Sequence, residues 1–189
     1  MSLLEKTLSS QLVYRGKVLN LRLDTVLLPN GCTGMREVVE YAGAVAVVAL
    51  GGNGGVYLVR QYRYPVKREL LEIPAGKIEP AEEPLACARR ELSEETGLVA
   101  ARWQQLCSFY STPGFTNEEM HLFLARDLEQ AAQHPDPDEF VQVVEVPLPE
   151  ALAMISRGEI CDAKSVAGLL LAARFLSREE GGQDYPSTG

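Results

Sequence analysis

Three glutamates stand close together in the segment RELSEET, residues 90–96. Glu91, Glu94 and Glu95 have helical spacings of i, i+3 and i+4, so a helix would place them within about 60° of one another on one face. Like charges at this spacing destabilise a helix by roughly 0.2–0.5 kcal/mol. A shared divalent cation would remove that cost, because Mg²⁺ and Mn²⁺ prefer carboxylate oxygens. Taken alone, the cluster is compatible with a metal site or with a solvated acidic helix face.

A longer pattern surrounds this cluster. It reads G-x5-E-x7-R-E-U-x-E-E-x-G-U, where U is a bulky aliphatic residue, and its nine specified positions all match across 23 residues without a gap. These positions are Gly76, Glu82, Arg90, Glu91, Leu92, Glu94, Glu95, Gly97 and Leu98. The stretch resembles the Nudix box, and we therefore favour the metal site over the solvated face.

The resemblance implies a divalent-metal-dependent attack of water on a diphosphate. Glu91 and Glu95 match the family's principal metal ligands, Glu94 matches an accessory ligand, and the backbone carbonyl of Ala75 matches a further one. Two or more Mg²⁺ or Mn²⁺ ions per site would neutralise the phosphates, activate water and hold the leaving group. Arg90 is expected to orient the carboxylates by ion pairing.

The segment after the box indicates the substrate. Pro113-Gly114 lies in STPG, with the proline fifteen residues beyond Leu98. This placement resembles the ADP-ribose pyrophosphatase subgroup, although Pro-Gly is also an ordinary turn signal. Three further stretches resemble the same subgroup: MREVVEY at 35–41, RQYRYP at 60–65 and IPAGKIE at 73–79. The resemblance implies hydrolysis of ADP-ribose to AMP and ribose 5-phosphate. The alternatives are another nucleotide sugar or nucleoside diphosphate derivative, or a ligand-sensing domain without catalysis.

Two arginines outside the box are candidate substrate ligands. By the resemblance, Arg63 would contact a phosphate or ribose of the substrate. Arg36 would reach the pyrophosphate or the adenosine end from a partner protomer, because related enzymes exchange an N-terminal sheet within a homodimer. For each arginine, the alternative is a surface ion pair.

The general base is expected to come from outside the box. In the subgroup, a glutamate on a loop before the last strand is implicated, and PDPDEF places Glu139 there. Glu118 and Glu119, just after the Pro-Gly turn, are competing candidates, and Glu139 could instead be a solvated acidic residue.

The chain order predicts which elements position these residues. Short alternating strands fill residues 11–40, a continuous apolar run from Ala42 to Leu50 predicts a strand buried on both faces, and Gly51–Gly55 predicts a hairpin turn. Pro84 and Gly97 suit the first turn and the end of the box helix, whose apolar side we assign to Leu85, Ala86, Ala88 and Leu92.

More strands follow, and two helices close the chain, at 149–157 and 162–179. With the box, this order implies an α/β (α+β) Nudix sandwich, a mixed sheet held between helices, together with a small N-terminal antiparallel sheet. We expect an N-terminal dimerisation segment at 1–42, the hydrolase domain at 43–180 and a disordered tail at 181–189.

Composition excludes several other classes of protein. The 189 residues are 46% hydrophobic, with a net charge of −8 and a pI near 4.9, which argues against a nucleic-acid-binding protein. The four cysteines have no metal-ligand spacing and are expected to be reduced thiols. We find no signal peptide and no apolar run long enough to span a membrane, so we expect a cytoplasmic enzyme.

Overall fold

The computed structural model describes residues 2–132 and 140–181. Its strands are β1 (Lys6–Arg15), β2 (Asn20–Leu27), β3 (Thr33–Glu40), β4 (Ala44–Leu50), β5 (Gly55–Arg63), β6 (Arg68–Glu72), β7 (Ala75–Lys77), β8 (Leu98–Tyr110), β9 (Glu119–Gln130) and β10 (Gln142–Pro147). Its helices are α1 (Pro84–Thr96), α2 (Leu148–Ser156) and α3 (Ala163–Glu180). The contacts divide the chain into two units. The first unit holds residues up to Gly43 together with Phe109–Glu119, and the second holds the remaining described residues.

The first unit is built on a three-stranded antiparallel sheet in the order β1-β2-β3. In the turn between β2 and β3, the amide of Gly31 donates to the carbonyl of Leu28, and Gly31 adopts a φ of 84°. The Arg22 guanidinium joins two strands, because it pairs with Asp24 on β2 and with Glu40 on β3.

The second unit is built on a mixed sheet in the order β10-β5-β4-β9-β8, with β6 and β7 added beside β5 and β4. The pairing of β4 with β9 is parallel, whereas the β4–β5 and β5–β10 pairings are antiparallel. Residues 44–49 of β4 are all buried, which confirms the prediction of a strand covered on both faces.

Helices cover both faces of this sheet. Val45 and Val47 share a core cluster with Ala88 and Leu92 of α1. On the opposite face, a Cβ added to Gly168 of α3 would lie 2.8 Å from Ile73, 3.1 Å from Val48 and 3.2 Å from Leu122, so glycine permits the close approach of α3 to the sheet. The sheet therefore lies between α1 and α3, as the sequence predicts.

The turn between β4 and β5 is the predicted hairpin. The amide of Gly51 donates to the carbonyl of Gly55 at 2.8 Å, and Gly54 has a φ of 81°. The closing helices differ from the predicted bounds by about one residue. Strand β8 begins at Leu98, immediately after Gly97 ends α1. The tail predicted at 181–189 lies outside the described residues except for Gly181. No described helix is both long and apolar enough to cross a bilayer.

Candidate active site

The box helix α1 begins and ends where its sequence predicts. Pro84 occupies its first turn, and Gly97 ends it in a left-handed conformation, with φ 67° and its amide donating to the carbonyl of Ser93. The apolar face includes buried Cys87 rather than Ala86, which is exposed. Our assignment of Ala86 was wrong because helical residues two apart, such as Ala86 and Ala88, point about 160° away from each other.

Arg90 lies among the box carboxylates. Its Nη1 group donates to Glu91 at 2.7 Å and to Glu94 at 2.9 Å. Its Nε and Nη2 groups each donate to one carboxylate oxygen of Glu82. The hydrogen bond from Arg90 is the main reason why the pKa of Glu82 is lowered to about 2. Glu82 also accepts the amide of Glu79 at 3.0 Å, whereas the helix N-cap is Glu83, which makes no side-chain capping bond. One guanidinium thus holds three box glutamates in place.

Glu95 is held by a backbone amide of β7. Its Oε2 accepts the amide of Ala75 at 3.0 Å, and the residue is only 2% exposed. Ala75 begins β7 and pairs with Ala46 of β4, so this hydrogen bond connects the end of the box helix to the central sheet. The last box glutamate is therefore held rigidly at the edge of β7.

Gly76, the first box residue, leaves room for Glu91. A Cβ at position 76 would lie 1.8 Å from Cδ of Glu91 and 2.0 and 2.3 Å from its two oxygens. Because no side chain fits at that distance, glycine lets this buried carboxylate rest directly against the backbone of β7. Glycine at position 76 of the box thus has a steric cause.

The second unit also contains a buried ion network that the sequence analysis missed. Arg63 donates two hydrogen bonds to the carboxylate of Glu72, from Nε at 2.9 Å and from Nη2 at 2.7 Å. Lys164 forms an ion pair with the same carboxylate. Lys164 also pairs with Asp162 at 2.8 Å. Burial disfavours the charge of Glu72, which is 1% exposed, but hydrogen bonds from Arg63 and Lys164 outweigh it and lower the pKa of Glu72.

This network fastens the segment that enters the box. The amide of Ile73 donates to the buried hydroxyl of Ser165 at 2.8 Å, and the carbonyl of Pro74 accepts the amide of Val47 at 2.8 Å. Glu72 accepts from Arg63, and the amide of Ala75 donates to Glu95. Each residue from 72 to 75 is therefore held by at least one hydrogen bond. The backbone beside the box carboxylates is therefore well fixed.

A model of the NUDIX domain matches residues 40–169, more than half of the chain. The chain belongs to the Nudix family. A second model, the nucleoside diphosphate sugar hydrolase N-terminal domain, matches residues 5–39 of this Nudix protein.

Several curated relatives carry a named activity. An ADP-ribose pyrophosphatase of Bacillus subtilis is 45% identical over 95% of this chain and 96% of its own length. An ADP-ribose pyrophosphatase of Mycobacterium tuberculosis is 40% identical over 87% of this chain and 81% of its own length. A methanol dehydrogenase activator of Bacillus methanolicus is 42% identical over 93% of this chain and 94% of its own length.

A solved structure supports the fold. An ADP compounds hydrolase superposes with a TM-score of 0.86 over 95% of this chain and 98% of its own, at 23% identity. The prediction of an α+β Nudix fold, with a mixed sheet and a small antiparallel sheet, is thereby confirmed.

Nudix hydrolases generally use divalent metal ions, and the donors of this box suit them. Glu91, Glu94 and Glu95 offer only carboxylate oxygens, and Ala75 adds a backbone carbonyl, the ligand type that Mg²⁺ and Mn²⁺ prefer. Within residues 2–132 and 140–181, however, no three acidic, histidine or cysteine side chains converge in a ready metal cluster. Instead, Arg90 pairs with both Glu91 and Glu94 through its Nη1 group. The donor chemistry of the box fits a divalent ion.

Five of the candidate site residues belong to the first unit, namely Arg36, Pro113, Gly114, Glu118 and Glu119. Arg36, on β3, pairs with Glu5 and is exposed. Pro113 and Gly114 form an exposed turn, closed by a hydrogen bond between the amide of Phe115 and the carbonyl of Thr112. The fourth residue, the candidate base Glu118, accepts a hydrogen bond from Ser111.

Two further candidates for the general base complete the predicted set. Glu119 begins β9 and is half-buried, whereas Glu139 lies outside the described residues. The assignment of the base to Glu139 therefore stays a prediction.

Proposed function

We propose that this Nudix hydrolase splits the pyrophosphate bond of ADP-ribose and releases AMP and ribose 5-phosphate. The observation that carries the proposal is the near full-length similarity to the Bacillus subtilis ADP-ribose pyrophosphatase, which includes the N-terminal segment as well as the box. GDP-mannose pyrophosphatases of Citrobacter and Yersinia match at 34–39% identity over about 70% of the chain, so GDP-mannose is the second candidate substrate.

The reaction requires water to attack a strongly anionic diphosphate. The water oxygen forms a bond to one phosphorus, the bridging P–O bond breaks, and the proton of the water passes to a base. Two or more Mg²⁺ or Mn²⁺ ions, held by Glu91, Glu94, Glu95 and the carbonyl of Ala75, would supply charge neutralisation and an acidified water.

The protein's own contribution is to hold these oxygens still. Arg90 restrains Glu91 and Glu94, while the amide of Ala75 restrains Glu95. Fixed groups of this kind need no reorganisation during the reaction, which is where most electrostatic catalysis arises. We assign Arg90 an orienting role rather than contact with the substrate.

Arg63 is proposed to bind a phosphate or ribose oxygen of the substrate. Its pairing with Glu72 uses two of the five N–H donors of the guanidinium, so other donors remain for a substrate. Glu72, in turn, fixes the orientation of the guanidinium. Lysine cannot form the two parallel hydrogen bonds that Arg63 makes with Glu72. An Arg63→Lys variant should therefore raise KM with a smaller change in kcat.

The general base is proposed to be Glu139, with Glu118 and Glu119 as alternatives. A Glu139→Gln variant should lower kcat by about a hundredfold, a typical contribution of general base catalysis, without weakening metal binding. An unchanged kcat would transfer the role to Glu118 or Glu119, which the corresponding glutamine variants would then separate.

We also propose a homodimer in which Arg36 and the turn at Pro113-Gly114 of one protomer serve the site of the other. The support is the extended antiparallel sheet of the first unit, whose strand β1 is exposed along its whole length. Sedimentation at micromolar concentration should give a dimer. A monomer that is fully active would refute both the assembly and the role of Arg36.

The substrate is tested directly by product identification. The enzyme is offered ADP-ribose, GDP-mannose, UDP-glucose, NADH and a nucleoside triphosphate, each with Mg²⁺ and with Mn²⁺. The highest kcat/KM is expected for ADP-ribose, with AMP as a product. A higher kcat/KM for GDP-mannose would replace the substrate assignment, and no turnover of any compound would refute the proposal.

A further inference from the structure

A cavity of the second unit lies away from the box. It has a volume of about 500 Å³, within the range of small-molecule sites, and we call it the distal pocket. It opens beside Leu50 and Gly51, where β4 ends, whereas the box entry at Ala75 pairs with Ala46, near the start of the same strand. Four residues of extended strand separate the two places by about 13 Å.

The polar lining of the distal pocket consists of Arg102, Arg126, Asp127 and Ser177. Arg102 on β8 pairs with Asp127, and Arg126 on β9 pairs with Glu179. Within the described part of the chain, each guanidinium donates two hydrogen bonds to its carboxylate. A guanidinium has five N–H donors, so three on each arginine remain for a ligand.

The two ion pairs are suited to exchange with a ligand. Arg126 is 19% exposed and rests over the ring of Phe175 at 5.5 Å, so its guanidinium is held in place. The partner carboxylates are 51% exposed at Asp127 and 45% exposed at Glu179. Because exposed ion pairs contribute little free energy, an incoming anion can replace either carboxylate at small cost.

The distal pocket also has an apolar lining, formed by Leu148, Pro149 and Leu152 of α2 and by Leu176 of α3. Gly52 lines the pocket without a side chain, and a Cβ built there would meet no atom within 4 Å. The pocket therefore combines guanidinium donors with apolar side chains.

We propose that the distal pocket binds a small organic anion, with its phosphate or carboxylate on Arg102 and Arg126 and its flat apolar body against Leu152 and Leu176. This binding does not depend on the proposed reaction or on a metal ion. Either a nucleoside monophosphate or an aromatic carboxylate has the required chemistry.

Titration calorimetry on the full chain in EDTA tests the proposal, because chelation removes the divalent ions that the box would need to hold phosphates. The probes are AMP, 1-naphthoate and inorganic phosphate. AMP or naphthoate should bind saturably with Kd below about 1 mM, and phosphate, which lacks the apolar body, should bind more weakly. Preference between AMP and naphthoate identifies the anion. Absence of saturable binding by both would overturn the proposal.

Variants place the binding in the pocket. Arg126→Gln removes a charged donor and should weaken binding about tenfold or more. Gly52→Phe adds a large side chain at a lining residue with free space around its Cβ and no positive φ, and it should have the same effect. Arg157→Gln is the control: it removes an arginine that pairs with Glu150 and Glu159 but does not line the pocket. If Arg126→Gln fails to fold, Gly52→Phe decides, and unchanged binding in that variant would overturn the site.

Discussion

Replacement of Gly76 by alanine separates catalytic placement from folding. The new Cβ would lie 1.8 Å from Cδ of Glu91, whereas ordinary contact begins at 3.4 Å, so the carboxylate has to move by about 1.6 Å. The displaced group is the end of a flexible side chain, and the backbone of Gly76 has no positive φ, so the fold can adjust. The cost in stability should therefore be about 1 kcal/mol, at the low end for overpacking.

The effect on catalysis should be much larger. Moving Glu91 breaks its 2.7 Å hydrogen bond with Arg90 and takes one proposed metal ligand out of position. Because a displacement of about 1 Å at a catalytic group typically costs about a hundredfold in rate, kcat of Gly76→Ala should fall by that factor or more. The assay is kcat on ADP-ribose, measured beside urea unfolding of the same preparation.

A matched glycine supplies the control for this experiment. Gly52→Ala introduces the same methyl group where no atom lies within 4 Å and φ is not positive, so it should leave both kcat and stability unchanged. A Gly76→Ala enzyme with wild-type kcat would refute the reasoning, because Glu91 would then be dispensable or differently placed. A loss of unfolding free energy as large as the loss of activation free energy calculated from kcat would also count against the reasoning.

Two further predictions concern the ion pairs beside the box. Lys164→Met removes one of the two described cations that pair with the buried Glu72, so it should lower the free energy of unfolding by about 1–3 kcal/mol in urea titration. Lys164→Arg, which keeps the charge, should lower it less. Equal losses in the two variants would show that the charge is unimportant. The pKa of Glu82 lies near 2 when folded, below its ordinary value of 4.5. Its contribution to stability is therefore complete above about pH 4.5 and lost as the pH falls towards 2. Thermal unfolding of Glu82→Gln should be less pH-dependent than wild type in that interval, and identical profiles would contradict the assignment.

Much of the catalytic helix could be predicted because its signals are local. Pro84 and Gly97 mark the two ends through backbone preferences, and the run of small apolar residues in β4 indicates a strand buried on both faces. The pairing of Arg90 with Glu94 likewise follows from helical spacing, since the two residues are four apart. Local periodicity is sufficient for features of this kind.

The features that were missed depend on contacts between distant parts of the chain. Glu72 and Lys164 are 92 residues apart, and only the packing of α3 against the sheet brings them together. In the sequence, Glu72 is a single acidic residue in an apolar stretch, and no spacing rule connects it with a lysine near the C-terminus. The wrong assignment of Ala86, instead of Cys87, to the buried face has a different cause. Small residues occur on both sides of the helix, so the hydrophobic pattern does not clearly distinguish the buried face.

The central claim is that the box glutamates hydrolyse the pyrophosphate bond, and Glu95→Gln tests it most directly. Glutamine keeps a carbonyl oxygen that can accept the amide of Ala75, so the fold should be retained, but the charge needed by a divalent ion is lost. Because metal-assisted stabilisation of the transition state is worth several kcal/mol, turnover of ADP-ribose should fall by at least about a hundredfold, with an unchanged unfolding transition. Near-normal turnover by a folded Glu95→Gln enzyme would contradict the account.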